Sequence, residues 1–154
     1  FSLCMAGCGG GDAPEAGDTS LDDIKATGQL ILGLDDSFPP MGFKDENGNI
    51  VGFDIDVAEA VCEILGVELV LQPIDWNSKE TLLENGTIDL IWNGMTITDE
   101  RAAQMCISVP YLYNYQVAVV AKADAAKYAT KESMKDAIMV AETGSAGESV
   151  IKGK

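Results

Sequence analysis

The segment DVAEAVCEILGVELVLQP, residues 56–73, constrains the fold more than any other. Val57, Val61, Ile64 and Leu65 recur at i, i+4, i+7 and i+8, which predicts one apolar helix face ending at Gly66. The β-branched run VELVLQP follows at once and reads as a strand. The same alternation recurs along the chain. QLILGLD, TIDLIW, CISV, YQVAVVAK (115–122) and AIMVAET read as strands. Residues 20–27 (capped at Ser20 and stopped by Gly28), SKETLLENG, TDERAAQM and the start of SAGESVIKG read as helices, with a helical turn at 132–136. Residues 41–53 read as a hairpin turning at Asn47-Gly48. Strands alternating with helices imply an α/β fold with a largely parallel sheet.

In such sheets ligands lie beyond the carboxyl ends of the strands. Three polar loops fall at such ends: LDDSFPPMGF, WNGMTITDER and AETGSAGE. In the second, Thr98 is an N-cap and Asp99 and Glu100 suit the positive helix end, but Arg101 does not. It either pairs locally with those acids or offers its guanidinium, with free helix-end N–H groups, to an anion. Asn93-Gly94 breaks the strand, Gly94 permits close backbone approach, and Thr96 could add a hydroxyl. In the third loop Gly144 turns the chain, and Ser145 with Glu148 has capping-box spacing. Asp35 and Phe38 in the first loop, with Trp76 after the next strand, suit a small polar ligand, although both aromatics are equally compatible with core packing. Asp35 and Asp36 are adjacent on an extended segment and point opposite ways, so they do not flank one scissile bond. Asp45, Glu46 and Asn49 lack calcium-loop spacing and read as a solvated turn.

Composition removes several function classes. A net charge of −15 over 154 residues repels nucleic acid and anionic lipid. The absence of histidine excludes Ser-His-Asp and Cys-His nucleophile systems and the common zinc sites. No phosphate-binding glycine loop is present, and neither a metal nor a cofactor is expected. Cys62 and Cys106 read as buried free thiols. Met5-Ala6-Gly7-Cys8 resembles a bacterial lipobox: residues 1–7 are the expected end of a signal peptide, Cys8 the expected acylated residue, and residues 8–19 a flexible tether. Acylation by more than one chain would anchor the protein stably to the outer face of the cell membrane.

The segment GFDIDVAEAVCEIL (52–65), the TxTxxR spacing in NGMTITDER, the SVPY at 108–111 and the strand–Gly-Ser–helix at 138–150 occur together in one order. Across residues 20–154 this resembles the family 3 extracellular solute-binding proteins that serve polar amino acid ABC importers. The resemblance implies a periplasmic-binding-protein-like fold whose two lobes close on an L-amino acid and present it to a membrane permease. Residues 20–112 would form lobe one without its return elements, 113–115 the hinge and 116–154 the first part of lobe two. By similarity Arg101 pairs with the ligand carboxylate, and Thr96 and the Gly94 backbone meet the ammonium or carboxylate. Asn93 precedes Gly94 where many relatives carry hydroxyl residues. Gly144, Ser145 and Ala146 present lobe-two groups, and Asp35, Phe38 and Trp76 line the side-chain pocket. The acid that holds the ammonium in the family is expected beyond Lys154. An enzyme like cyclohexadienyl dehydratase and the sensory ectodomain of a receptor are the rival readings. Asp35 would favour a cationic side chain, whereas Phe38 and Trp76 would also accept glutamine or cystine.

Overall fold

Parallel pairing of three strands organises the chain. The computed structural model describes residues 18–153. The expected lipidation site at Cys8, and most of the tether with it, lie outside the described residues. Helix α1 (Ser20–Thr27) leads through Gly28, at φ 74°, into strand β1 (Gln29–Leu34). Its N-cap is Thr19 and not Ser20, whose own N–H donates to Asp18 Oδ1. Strands β2 (Ser37–Phe38), β3 (Gly42–Lys44) and β4 (Ile50–Val51) form a small antiparallel sheet. Gly48, at φ 85°, supplies the expected hairpin turn, and Asp45 Oδ1 accepts the N–H groups of Asn47 and Asn49. Helix α2 (Phe53–Leu65) then ends at Gly66, and strand β5 (Glu68–Pro73) runs parallel to β1 over six residue pairs. A single 3-10 turn (Trp76–Ser78), helix α3 (Lys79–Glu84) and strand β6 (Leu90–Ile91) complete the second crossover. The sheet order is β5-β1-β6, with β1 central.

The core explains this order. Leu32 and Leu34 of β1 and Ile55 and Ala58 of α2 have almost no exposed surface, and Ile50, Leu69, Leu71, Leu90 and Trp92 pack around them. The expected face of α2 is corrected here. Asp54, Ile55, Ala58 and Cys62 are the buried positions, Val57, Val61 and Leu65 flank them, and Ile64 is 83% exposed. An apolar stripe wider than the contact surface leaves one edge in solvent.

Helix α4 (Asp99–Gln104) and helix α5 (Ala146–Ile151) form where expected, and the turn near 132–136 is a 3-10 turn at Glu132–Met134. The strands expected at 106–109, 115–122 and 137–143 do not form. Val117, Val119, Ile138 and Val140 are extensively exposed, because no described strand lies beside them to complete a ladder. Cys62 is buried as expected, whereas Cys106 is exposed. Among the described residues, no helix is long and apolar enough to cross a membrane.

Candidate functional site

The carboxyl ends of the three parallel strands deliver three loops to one place. Beyond β1, Asp35 Oδ1 accepts the N–H and hydroxyl of Ser37 and fixes the turn into Phe38. Beyond β5, Asp75 caps the 3-10 turn by accepting the Asn77 N–H, which seats Trp76 at 8% exposure. Beyond β6, Gly94 turns the chain at φ 60° and Thr98 Oγ1 accepts the Arg101 N–H to start α4. A fourth loop arrives from the far end of the chain. There Gly144 has φ 75°, Ser145 Oγ accepts the Glu148 N–H, and Glu148 Oε2 accepts the Gly144 N–H.

These loops enclose a cavity of about 110 Å3. Of the residues singled out from the sequence, Asp35, Phe38, Trp76, Asn93, Gly94, Thr96, Arg101, Ser145 and Ala146 line it. Gly144 does not line it, but its carbonyl accepts a hydrogen bond from Arg101 Nη2 at 3.0 Å. Arg101 also donates from Nη1 to the Thr96 carbonyl at 2.7 Å and is only 8% exposed. It forms no ion pair with Asp99 or Glu100. The local-pair alternative fails, because the side chain folds away from its own helix into the cavity wall. A guanidinium buried on carbonyls alone keeps its net charge, and a buried charge calls for an opposite one. Gly94 is corrected in one respect: its N–H already donates to the Tyr111 hydroxyl at 3.2 Å and is not free for another molecule.

Sequence reasoning missed several residues here. Gln116 lines the cavity and donates to Thr96 Oγ1, and Met95, Asn114, Glu142 and Gly147 complete the wall. Removal from water and the charges of Asp35 and Asp75 push the Glu142 carboxyl up, against the pull of Lys79. Lys79 is the larger omission. At 2% exposure its Nζ donates to the Trp76 carbonyl at 3.0 Å and the Gly144 carbonyl at 3.4 Å, pairs with Glu80 at 2.8 Å, and lies 5.0 Å from the Trp76 ring centroid. It thus ties the Trp76 turn to the Gly144 loop. Its only sequence signal is a basic residue in the first turn of a helix, where the macrodipole disfavours it. No group of metal-ligating side chains occurs among the described residues. The site therefore offers one buried guanidinium and two carboxylates around a small cavity, an arrangement suited to holding a dipolar molecule.

The profile of the bacterial extracellular solute-binding proteins, family 3, matches residues 30–144. The L-cystine-binding protein TcyJ of Escherichia coli (strain K12) is 32% identical over 115 residues, which cover 75% of this chain and 43% of that protein. The cyclohexadienyl dehydratase of Pseudomonas aeruginosa is 28% identical over 120 residues, 78% of this chain and 45% of the enzyme. Among solved structures, the ancestral amino acid-binding protein AncCDT-1, a precursor of cyclohexadienyl dehydratase, superposes with a TM-score of 0.83 at 37% identity over 87% of this chain and 60% of its own. The chain spans less than half the length of these two curated relatives.

Proposed function

The chain belongs to the bacterial extracellular solute-binding proteins of family 3, and from that premise we propose that the protein it forms binds a polar L-amino acid outside the cytoplasm and delivers it to an ABC permease. The observation that carries this reading is Arg101, buried on two carbonyls in a cavity wall with no carboxylate partner among the described residues. A ligand carboxylate completes it. Asp35 and Glu142, on the same cavity, suit the ligand's positive end. Residues 20–112 act as lobe one, 113–115 as the hinge and 116–154 as the start of lobe two. Support for a site between these two parts comes from the bonds of Arg101 and Lys79 to Gly144 and of Gln116 to Thr96. Ligand binding then shifts an open–closed equilibrium that the permease reads. Acylation at Cys8 would hold the receptor at the outer face of the membrane, as Met5-Ala6-Gly7-Cys8 suggests.

The test is a thermal-shift panel of the proteinogenic L-amino acids and L-cystine on the full-length protein. One of them at about 100 times its dissociation constant should stabilise by about 2.7 kcal/mol. Arg101→Ala should weaken that binding by about 2–5 kcal/mol, as truncation of one partner in a buried charge pair does. Stabilisation by none of the panel would refute the proposal.

One observation favours a second reading. The raised Glu142 carboxyl at the cavity is a property a general acid needs, and one relative is a dehydratase. Incubation of the full-length protein with prephenate or arogenate decides this; turnover would displace the transport reading.

A further inference from the structure

Asp54 is the most deeply buried acid among the described residues, at 0% exposure, yet it lines neither the cavity nor any ion pair. Its Oδ1 accepts the Tyr111 hydroxyl at 2.8 Å, and its Oδ2 has no hydrogen-bond partner. The Tyr111 oxygen in turn accepts the Gly94 N–H at 3.2 Å. A phenol has one proton to give. With that proton committed to Asp54, a lone pair is left for Gly94, so the chain of bonds runs in one sense from Gly94 to Tyr111 to Asp54. The Tyr111 ring is fixed independently. It stacks on Phe53 with centroids 6.4 Å apart and meets Trp92 edge-on at 6.2 Å.

The peptide joining Asn93 to Gly94 is trans and planar, so the Asn93 carbonyl points opposite to the Gly94 N–H. Asn93 and Gly94 line both the small cavity and a larger neighbouring cleft, whereas Tyr111 lines the cleft alone. The N–H is therefore held toward Tyr111, and the carbonyl points away from it.

We infer that Asp54 and Tyr111 are positioning residues for ligand binding, holding the Asn93–Gly94 peptide with its N–H withdrawn and its carbonyl facing the cavity. The inference rests on the proposed function and adds to it a pair of residues that do not touch the ligand. A carbonyl is an acceptor only, so the group it meets is a donor such as the ligand's ammonium. Were the peptide free to flip, the same position would present a donor to that cation.

The test uses the full-length protein, with the proteinogenic L-amino acids and L-cystine as probes. Tyr111→Phe removes one oxygen and leaves the ring contacts. It should accelerate hydrogen exchange at the Gly94 amide about tenfold and raise the dissociation constant of the best-binding probe about tenfold, the effect of one buried hydrogen bond. Exchange at Leu32 and Leu34 should not change. Asp54→Asn keeps an acceptor oxygen and should bind within a few-fold of wild type. Asp54→Leu should match Tyr111→Phe, and the double variant should be no weaker than the weaker single one. Gly94 exchange unchanged in Tyr111→Phe overturns the inference, and so does an unchanged dissociation constant. Should Asp54→Leu fail to fold, Tyr111→Phe and Asp54→Asn still decide it. Wild type that binds no probe overturns the proposed function itself, and that outcome is distinct from a wild type that binds and a variant that binds equally well.

Discussion

Burial pushes the Asp54 carboxyl above its ordinary value of 3.8, and the hydrogen bond from the Tyr111 hydroxyl opposes it only in part. The same pairing, after burial, holds the Tyr111 phenol up to about 12, so it stays a proton donor across the working range. The folded state therefore binds a proton at Asp54 more tightly than the unfolded state. By linkage, this residue's contribution to stability falls as pH rises from the ordinary value through the raised one, and is constant above it. Asp54→Asn cannot titrate. In urea unfolding of the full-length protein, the stability difference should shift in favour of Asp54→Asn as pH rises through that window. A difference independent of pH would show that the carboxyl is not raised. Single residues also show where sequence reading stops. Arg101 was legible because it violates a local rule, a cation at a helix start. Lys79 violates the same rule, but one of its partners, the Gly144 carbonyl, lies 65 positions away. No local pattern carries that contact.

At the scale of elements, the starts of α4 and α5 were legible because they are chemical: Thr98 and Ser145 cap their helices through the bonds their spacing predicts. The start of α2 works differently. Gly52 offers no side chain, and the Phe53 and Asp54 N–H groups donate to the carbonyls of Pro40 and Met41. Gly52 lies at φ 141°, and a Cβ there would meet the Met41 carbonyl oxygen at 2.3 Å and the Met41 carbonyl carbon at 2.7 Å. Backbone on one side and a disfavoured φ on the other leave no relief. Gly52→Ala should destabilise the full-length protein by about 2–5 kcal/mol. Gly48→Ala, with a positive φ but open space around it, should cost only about 1 kcal/mol. Equal costs in urea unfolding would mean that the crowding at Met41 is unimportant. The strands expected after residue 105 failed for a related reason. Apolar, β-branched runs such as VAVV state a preference, but a strand exists only where a neighbour offers its own donors and acceptors. That neighbour is not a property of the run.

At the scale of the whole molecule, the three-stranded sheet is closed on neither side among the described residues, and the two sides differ. At β6 lies an apolar cleft of about 880 Å3, lined among others by Leu90, Ile91, Trp92, Ile107, Val109 and Leu112. Val109 is 84% exposed and belongs to no element. An unpaired strand edge beside an apolar surface is a template for association. A solution of this 154-residue chain should therefore show a mass by light scattering that grows with concentration, and Val109→Lys should reduce that growth at little cost to folding. A mass that stays monomeric at every concentration would count against an accessible edge. The amides and carbonyls along that edge are identical from residue to residue, so what they accept is defined by geometry and not by sequence. Loyalty to one partner strand must then come from the side chains around the cleft.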